Sequence, residues 1–115
     1  GAGQRLTRSP CWLAKGHAMP EDHEFTLNGD ERWLIRWTTL KGAAYGITYT
    51  RKAKHPRIVL HDGMRGKHRL TILVHELLHA IFPQASEEVV ERAGKDIAKV
   101  LWAHGYREVK DGEAE

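Results

Sequence analysis

As a pattern of apolar and polar positions, the chain changes period once, near residue 67. Before that point the apolar residues come in short runs divided by turn signals. ERWLIRWTTL (31–40) is rich in Trp, Ile and Thr, which suits a strand. Lys41-Gly42 marks a turn, and AAYGITYT (43–50) reads as a second strand, in which Gly46 signals a bulge or a close backbone approach. Beyond the polar RKAKHP, the apolar RIVLH (57–61) is a third strand, closed by Asp62-Gly63. Trp33 and Trp37 have the same parity and should share a face. With Trp12 and Trp102 they are expected as core anchors. The first thirty residues, rich in Gly, Pro, His and acids, read as a loop or arm with at most a short helix.

From about Lys67 the period is helical. Leu70, Leu73, Val74, Leu77 and Ile81 fall on one face at 3.6 residues per turn, and Pro83 stops the run. Ser86 is a good N-cap, with Glu87 and Glu88 in the first turn, where the helix dipole favours anions. Val89, Val90, Ala93, Ile97, Val100 and Leu101 form the apolar stripe of this second helix, and Gly105 is placed to end it. The expected fold is therefore α+β. Helices over about 67–82 and 86–104 cover one face of a small three-stranded sheet. Residues 1–30 would be an arm, and 31–115 the domain proper.

Composition narrows the class. The 115 residues, 41% of them hydrophobic, suit one small globular domain rather than a disordered tail. No apolar run approaches the roughly 20 residues that cross a bilayer, so no membrane partner is expected. The opening GAGQRLTRSP lacks the apolar core of a secretory signal. Cys11 is the single cysteine, which forbids an internal disulfide and makes a reducing cytoplasmic setting the natural expectation. The formal net charge of +3 is unevenly spread. Arg51, Lys52, Lys54, His55 and Arg57 form one basic stretch, and Arg65, Lys67, His68 and Arg69 another. Such stretches can track nucleic-acid phosphates, although most are solvated loop positions.

The candidate chemistry lies in TILVHELLHAIFP (71–83), where His75, Glu76 and His79 have the spacing His-Glu-x-x-His. Histidines four apart on a helix lie one turn apart on the same side, so both imidazoles can reach one ion. The line through Thr71, His75 and His79 runs nearly opposite the apolar stripe. Glu76 stands about a quarter turn aside, where its carboxylate can reach a metal-bound water without binding the ion. The bland alternative is a pair of half-buried histidines satisfied by hydrogen bonds, with no further acid arranged beside them. The chain does supply acids, in SEEVVERAG (86–94). Zinc needs a third protein ligand and an open position when it is catalytic. On a helical wheel Glu87 and Glu91 share a flank with Gly94 and Ala98, small residues that would let a neighbour approach closely. Glu88 falls with Arg92, Lys95 and Lys99 on a face that reads as solvated. Glu87 is favoured as the ligand, with Glu91 as a carboxylate orienting a histidine. Glu88 is the main rival for the third position, and His104 a weaker one.

These residues resemble the zincin metallopeptidases and, within them, the gluzincins, whose third ligand is a glutamate. In thermolysin-like members that glutamate lies on the following helix, with an acid four residues later and a Gly three beyond. Glu87, Glu91 and Gly94 repeat the spacing, although Glu91 stands where those enzymes have Asp. The stretch over about 43–106 is also similar in layout to small phage- or prophage-encoded HExxH proteins and to SprT-like domains. It departs from the metzincins, since Ala80, Ile81 and Phe82 follow His79. It also departs from the SprT-like pattern, because no third histidine comes just downstream.

The resemblance implies an endopeptidase holding one Zn²⁺ per chain on His75, His79 and Glu87, with Glu76 as the catalytic proton carrier. A strand beside the helix, from 43–50 or 57–61, would pair with an extended peptide substrate. Tyr45, Tyr49, His61 and His68 are candidate oxyanion donors, each more readily explained as structural. Cys11, on a mobile arm, could cap the open zinc position and hold the enzyme latent, although an inert cysteine is the simpler reading. The competing function is a metal-stabilised binding module for nucleic acid or a protein partner. Such a module would not require Glu76.

Overall fold

The computed structural model describes residues 21–42, 44–50 and 54–109. Four strands precede two helices: β1 (Glu21–Leu27), β2 (Glu31–Thr38), β3 (Gly46–Tyr49), β4 (Arg57–His61), α1 (Gly66–Ile81) and α2 (Glu87–Ala103). The architecture is α+β, as expected, but the sheet has a fourth strand. Glu21–Leu27 lies within the stretch that reads as loop or arm, yet it pairs antiparallel with β2 from Glu21↔Trp37 to Leu27↔Glu31.

The physical reason is that β1 hardly announces itself. Its side chains are mostly exposed, and Phe25 is still 49% accessible, so the apolar alternation is faint. Its better signal is the Asn-Gly pair that follows, a hairpin signature. Asn28 and Gly29 both take positive φ, 54° and 87°. The Asn28 amide then donates to Glu31 Oε1 at 2.7 Å and to the Ala80 carbonyl at 3.1 Å, tying the hairpin to the end of α1. On the solvent face Arg36 grips Asp22 directly opposite through two bonds of 2.8 Å, and this holds the Asp22 carboxyl below its usual range.

The sheet order is β1-β2-β4-β3. After β2 the chain passes to the outer edge, forms β3, and returns as β4, which inserts parallel to β2 and antiparallel to β3. The parallel pairing buries β4 centrally, and Ile58 and Leu60 are fully buried. Trp33, Ile35 and Trp37 alternate inward along β2, so the two tryptophans do share a face. They join Ile58, Leu60, Met64 and Ala80 in one core, against which Leu27, Ile72, Leu73 and Leu77 pack. No described helix is long and apolar enough to cross a membrane.

Both helix ends of α2 follow their sequence signals. Ser86 Oγ accepts the Val89 N–H at 3.2 Å. Gly105 takes φ +91° and its N–H bonds to the Trp102 carbonyl at 3.0 Å, while the Tyr106 N–H reaches Leu101 at 3.1 Å. That pair of bonds is a Schellman end. Of the buried residues of α2 only Val90 belongs to the expected stripe. Val90, Gly94 and Ala98 are buried, whereas Val89, Ile97 and Val100 stay 41–54% exposed. Small residues win because the helices approach closely: a Cβ on Gly94 would sit 3.4 Å from the His75 Cα.

Candidate metal centre

Three elements meet at the candidate site: the middle of α1, the first turn of α2 and the edge strand β3. The helical period of α1 stacks His75 and His79 with ring centroids 4.9 Å apart. Gly94 lets α2 lie against the backbone of His75, and the Ser86 cap starts α2 so that Glu87 projects from its first turn. The two Glu87 carboxylate oxygens then divide between the imidazoles. Oε1 lies 2.8 Å from His79 Nε2, and Oε2 lies 3.2 Å from His75 Nε2. Both histidines present the same ring nitrogen to one side.

The donor set suits a divalent ion of borderline softness. Two imidazole nitrogens and one carboxylate, with donor atoms all within 4.8 Å of one another, are the kind and number of ligands a three-ligand zinc site uses. Ligands at about 2.1 Å in a tetrahedron lie roughly 3.4 Å apart. The His–Glu distances of 3.2 and 2.8 Å are therefore shorter than an ion would set them, by about 0.2 and 0.6 Å. The exposed Glu87 side chain can make that adjustment. His75, His79 and Glu87 are the one such group among the described residues.

Glu91 and Glu88 are placed elsewhere. The Glu91 carboxylate pairs with Lys95 at 3.3 Å, and no bond from it to either histidine occurs among the described residues. It therefore does not take the histidine-orienting position. Glu88 is exposed on the solvated side, and His104 caps the far end of α2.

Glu76 is the surprise in its burial. At 8% exposed it is the only buried charged side chain among the described residues, and no cation pairs with it there. Its carboxylate instead accepts from the Thr48 hydroxyl, with Thr48 Oγ1 2.5 Å from Oε1. Strand β3 lies unusually close at this point. A Cβ on Gly46 would stand 2.9 Å from Glu76 Cγ and 3.1 Å from both Glu76 Oε2 and Ile72 Cγ2. The close backbone approach signalled by Gly46 is thus made to Glu76 itself.

A cavity of about 360 Å³ opens between these parts. Gly46, Ile47, Thr48 and Thr50 line it from the edge strand, His75, Glu76 and His79 from α1, and Pro83 and Glu87 from beyond. Strand β3 is the edge that faces it, whereas β4 is interior and has no free edge to offer. None of the four candidate oxyanion donors lines this cavity. Tyr45 packs edge-on against His68 at 4.8 Å, Tyr49 lies under the Arg57 guanidinium at 4.0 Å, and His61 Nδ1 accepts the Leu40 N–H at 3.1 Å. These are structural contacts. Cys11 and Trp12 fall outside the described residues.

Sequence reasoning missed Thr48. Its only signal is parity: residues 46 and 48 of a strand point to one face, so whatever Gly46 makes room for, Thr48 can touch.

No family model, characterised protein or solved structure matches this chain significantly.

Proposed function

We propose that the protein is a zinc-dependent endopeptidase of the zincin type, gluzincin-like in its ligand set and working on extended peptides in a cytoplasmic setting. The observation that carries this reading is one carboxylate, Glu87, bridging both imidazoles of a His-Glu-x-x-His helix beside a buried Glu76. His75, His79 and Glu87 would hold a zinc ion, which when bound would supply Lewis-acid polarisation of the scissile carbonyl and acidify water. Glu76 receives the proton of the attacking water on its carboxylate and passes it to the leaving amine. Strand β3, whose outer edge is unpaired among the described residues, offers that backbone edge to the substrate, which pairs beside the cavity.

A binding module that keeps a metal only for stability has no use for Glu76. Among the described residues no cation stands beside the Glu76 carboxylate; such burial is costly, and a structural site gives no reason to bear that cost. Three of the described basic residues are engaged in contacts within the protein. Arg57 stacks on Tyr49, Arg69 stacks on Trp37 and pairs with Glu108, and Arg65 donates to the Asp62 and Met64 carbonyls.

Metal content per chain tests the site directly, on protein purified without added metal and then given zinc. The unaltered protein and Glu91→Ala should hold about one zinc, while His79→Ala and Glu87→Ala should lose most of it. No zinc in the unaltered protein after reconstitution would remove the peptidase reading.

A further inference from the structure

We infer that Thr48 is the positioning residue for Glu76, and that the edge strand beside the cavity sets the orientation of the proposed proton carrier. The inference rests on the peptidase reading for its catalytic meaning, but its geometric content does not.

A glutamate side chain has three rotatable bonds, and its terminal torsion is broad and roughly two-fold. Left alone beside a cavity, the carboxylate would sample several orientations. In this structure two neighbours on one strand face restrict it. Gly46 closes one side, so near that an added Cβ would meet Cγ, Oε2 and the neighbouring Ile72 at 2.9–3.1 Å. Thr48 holds the other side. Its hydroxyl lies 2.5 Å from Oε1 and 3.1 Å from the backbone oxygen of Glu76, so it touches both ends of the same residue. Being β-branched on a strand, Thr48 is itself stiff at χ1, which makes it a rigid donor. With Oε1 committed to Thr48, Oε2 is left as the working oxygen. The half-buried Thr48 makes no contact with the three candidate ligands among the described interactions. It acts through Glu76, not on the metal.

This arrangement gives β3 two tasks. Its outer edge is unpaired among the described residues and could take a peptide, while Gly46 and Thr48 on its inward face hold the carboxylate that would act on that peptide. Substrate pairing and proton-carrier alignment therefore share four residues of backbone.

Thr48→Val keeps the shape and removes the hydroxyl, and Thr48→Ser keeps the hydroxyl. The first readout is the Glu76 carboxylate position in crystal structures of the original protein and both variants, which needs no activity. Glu76 should leave its position in Thr48→Val and keep it in Thr48→Ser. The second is peptide turnover with zinc content checked. In Thr48→Val kcat should fall about 10- to 100-fold while KM and bound zinc hold, and Thr48→Ser should recover most of the loss. Should Thr48→Val not fold, Thr48→Ala removes the hydroxyl without adding bulk and is read in the same way. An unmoved Glu76 carboxylate in the hydroxyl-free variant overturns the positioning role. Absence of cleavage by the unaltered, zinc-loaded protein would instead overturn the peptidase reading, with the carboxylate position still deciding the role of Thr48.

Discussion

Helix α1 has two sides that are built in different ways. Toward the sheet, Leu73, Leu77 and Ala80 meet Trp33, Ile35 and Trp37, and what holds them is area. Apolar contacts there are many, individually weak and tolerant of exchange at constant volume. Toward β3 and α2, His75, Glu76 and His79 depend on single contacts: one hydroxyl from Thr48, one carboxylate from Glu87, and two places where a glycine lets backbone come close. The first side keeps the helix in place. The second places a buried carboxylate that gains no cation among the described residues. The apolar contacts and the two candidate ligand histidines thus occupy opposite faces of a sixteen-residue helix, with Glu76 on the flank between them.

Three substitutions set the sides against each other. The largest effect should come from Glu76→Gln. Its amide oxygen still accepts from Thr48, so thermal stability and zinc content should stay near those of the original, while turnover falls about 10²- to 10⁴-fold. Retained turnover would mean the polar side does no proton transfer. Next is Trp33→Ala on the apolar side, where a side chain only 2% exposed is removed. It should cost about 3–5 kcal/mol in a denaturant titration, a large share of the roughly 5–15 kcal/mol a domain possesses. Activity per folded molecule should be nearly unchanged, and a loss as deep as that of Glu76→Gln would break the contrast. Smallest, and most informative about the boundary, is Gly46→Ala. The new methyl must displace the Glu76 side chain or Ile72, which should cost about 1–3 kcal/mol and lower turnover more than stability alone explains. If turnover is untouched, the polar side is looser than its distances imply.

Much of this was legible in the chain. The stacking of His75 and His79, the Ser86 cap, the Gly105 end and the shared face of Trp33 and Trp37 each depend on neighbours within a few residues; Gly46 signalled a close approach, but its partner some thirty positions away was not legible. Strand β1 was not legible, because its exposed side chains leave little alternation and its pairing partner supplies most of the order. The buried face of α2 was legible in part. Val90 of the apolar stripe is buried and the small-residue flank of Gly94 and Ala98 is buried with it, whereas Val89, Ile97 and Val100 stay exposed.

The site divides along the same line. Periodicity alone, at 100° per residue, puts two imidazoles on one side of a helix and an acid beside them, and no tertiary contact is needed to know it. Which of three glutamates reaches those imidazoles depends on the angle and separation of two helices. A shift of one turn would exchange Glu87 for Glu91, and only packing at Gly94 decides that. The contact between Thr48 and Glu76 spans 28 positions and requires the chain to place β3 outside β4. Local geometry follows from bonded sterics and is written in the sequence. Distances between elements come from the balance of the whole core, and that balance exists only in the fold.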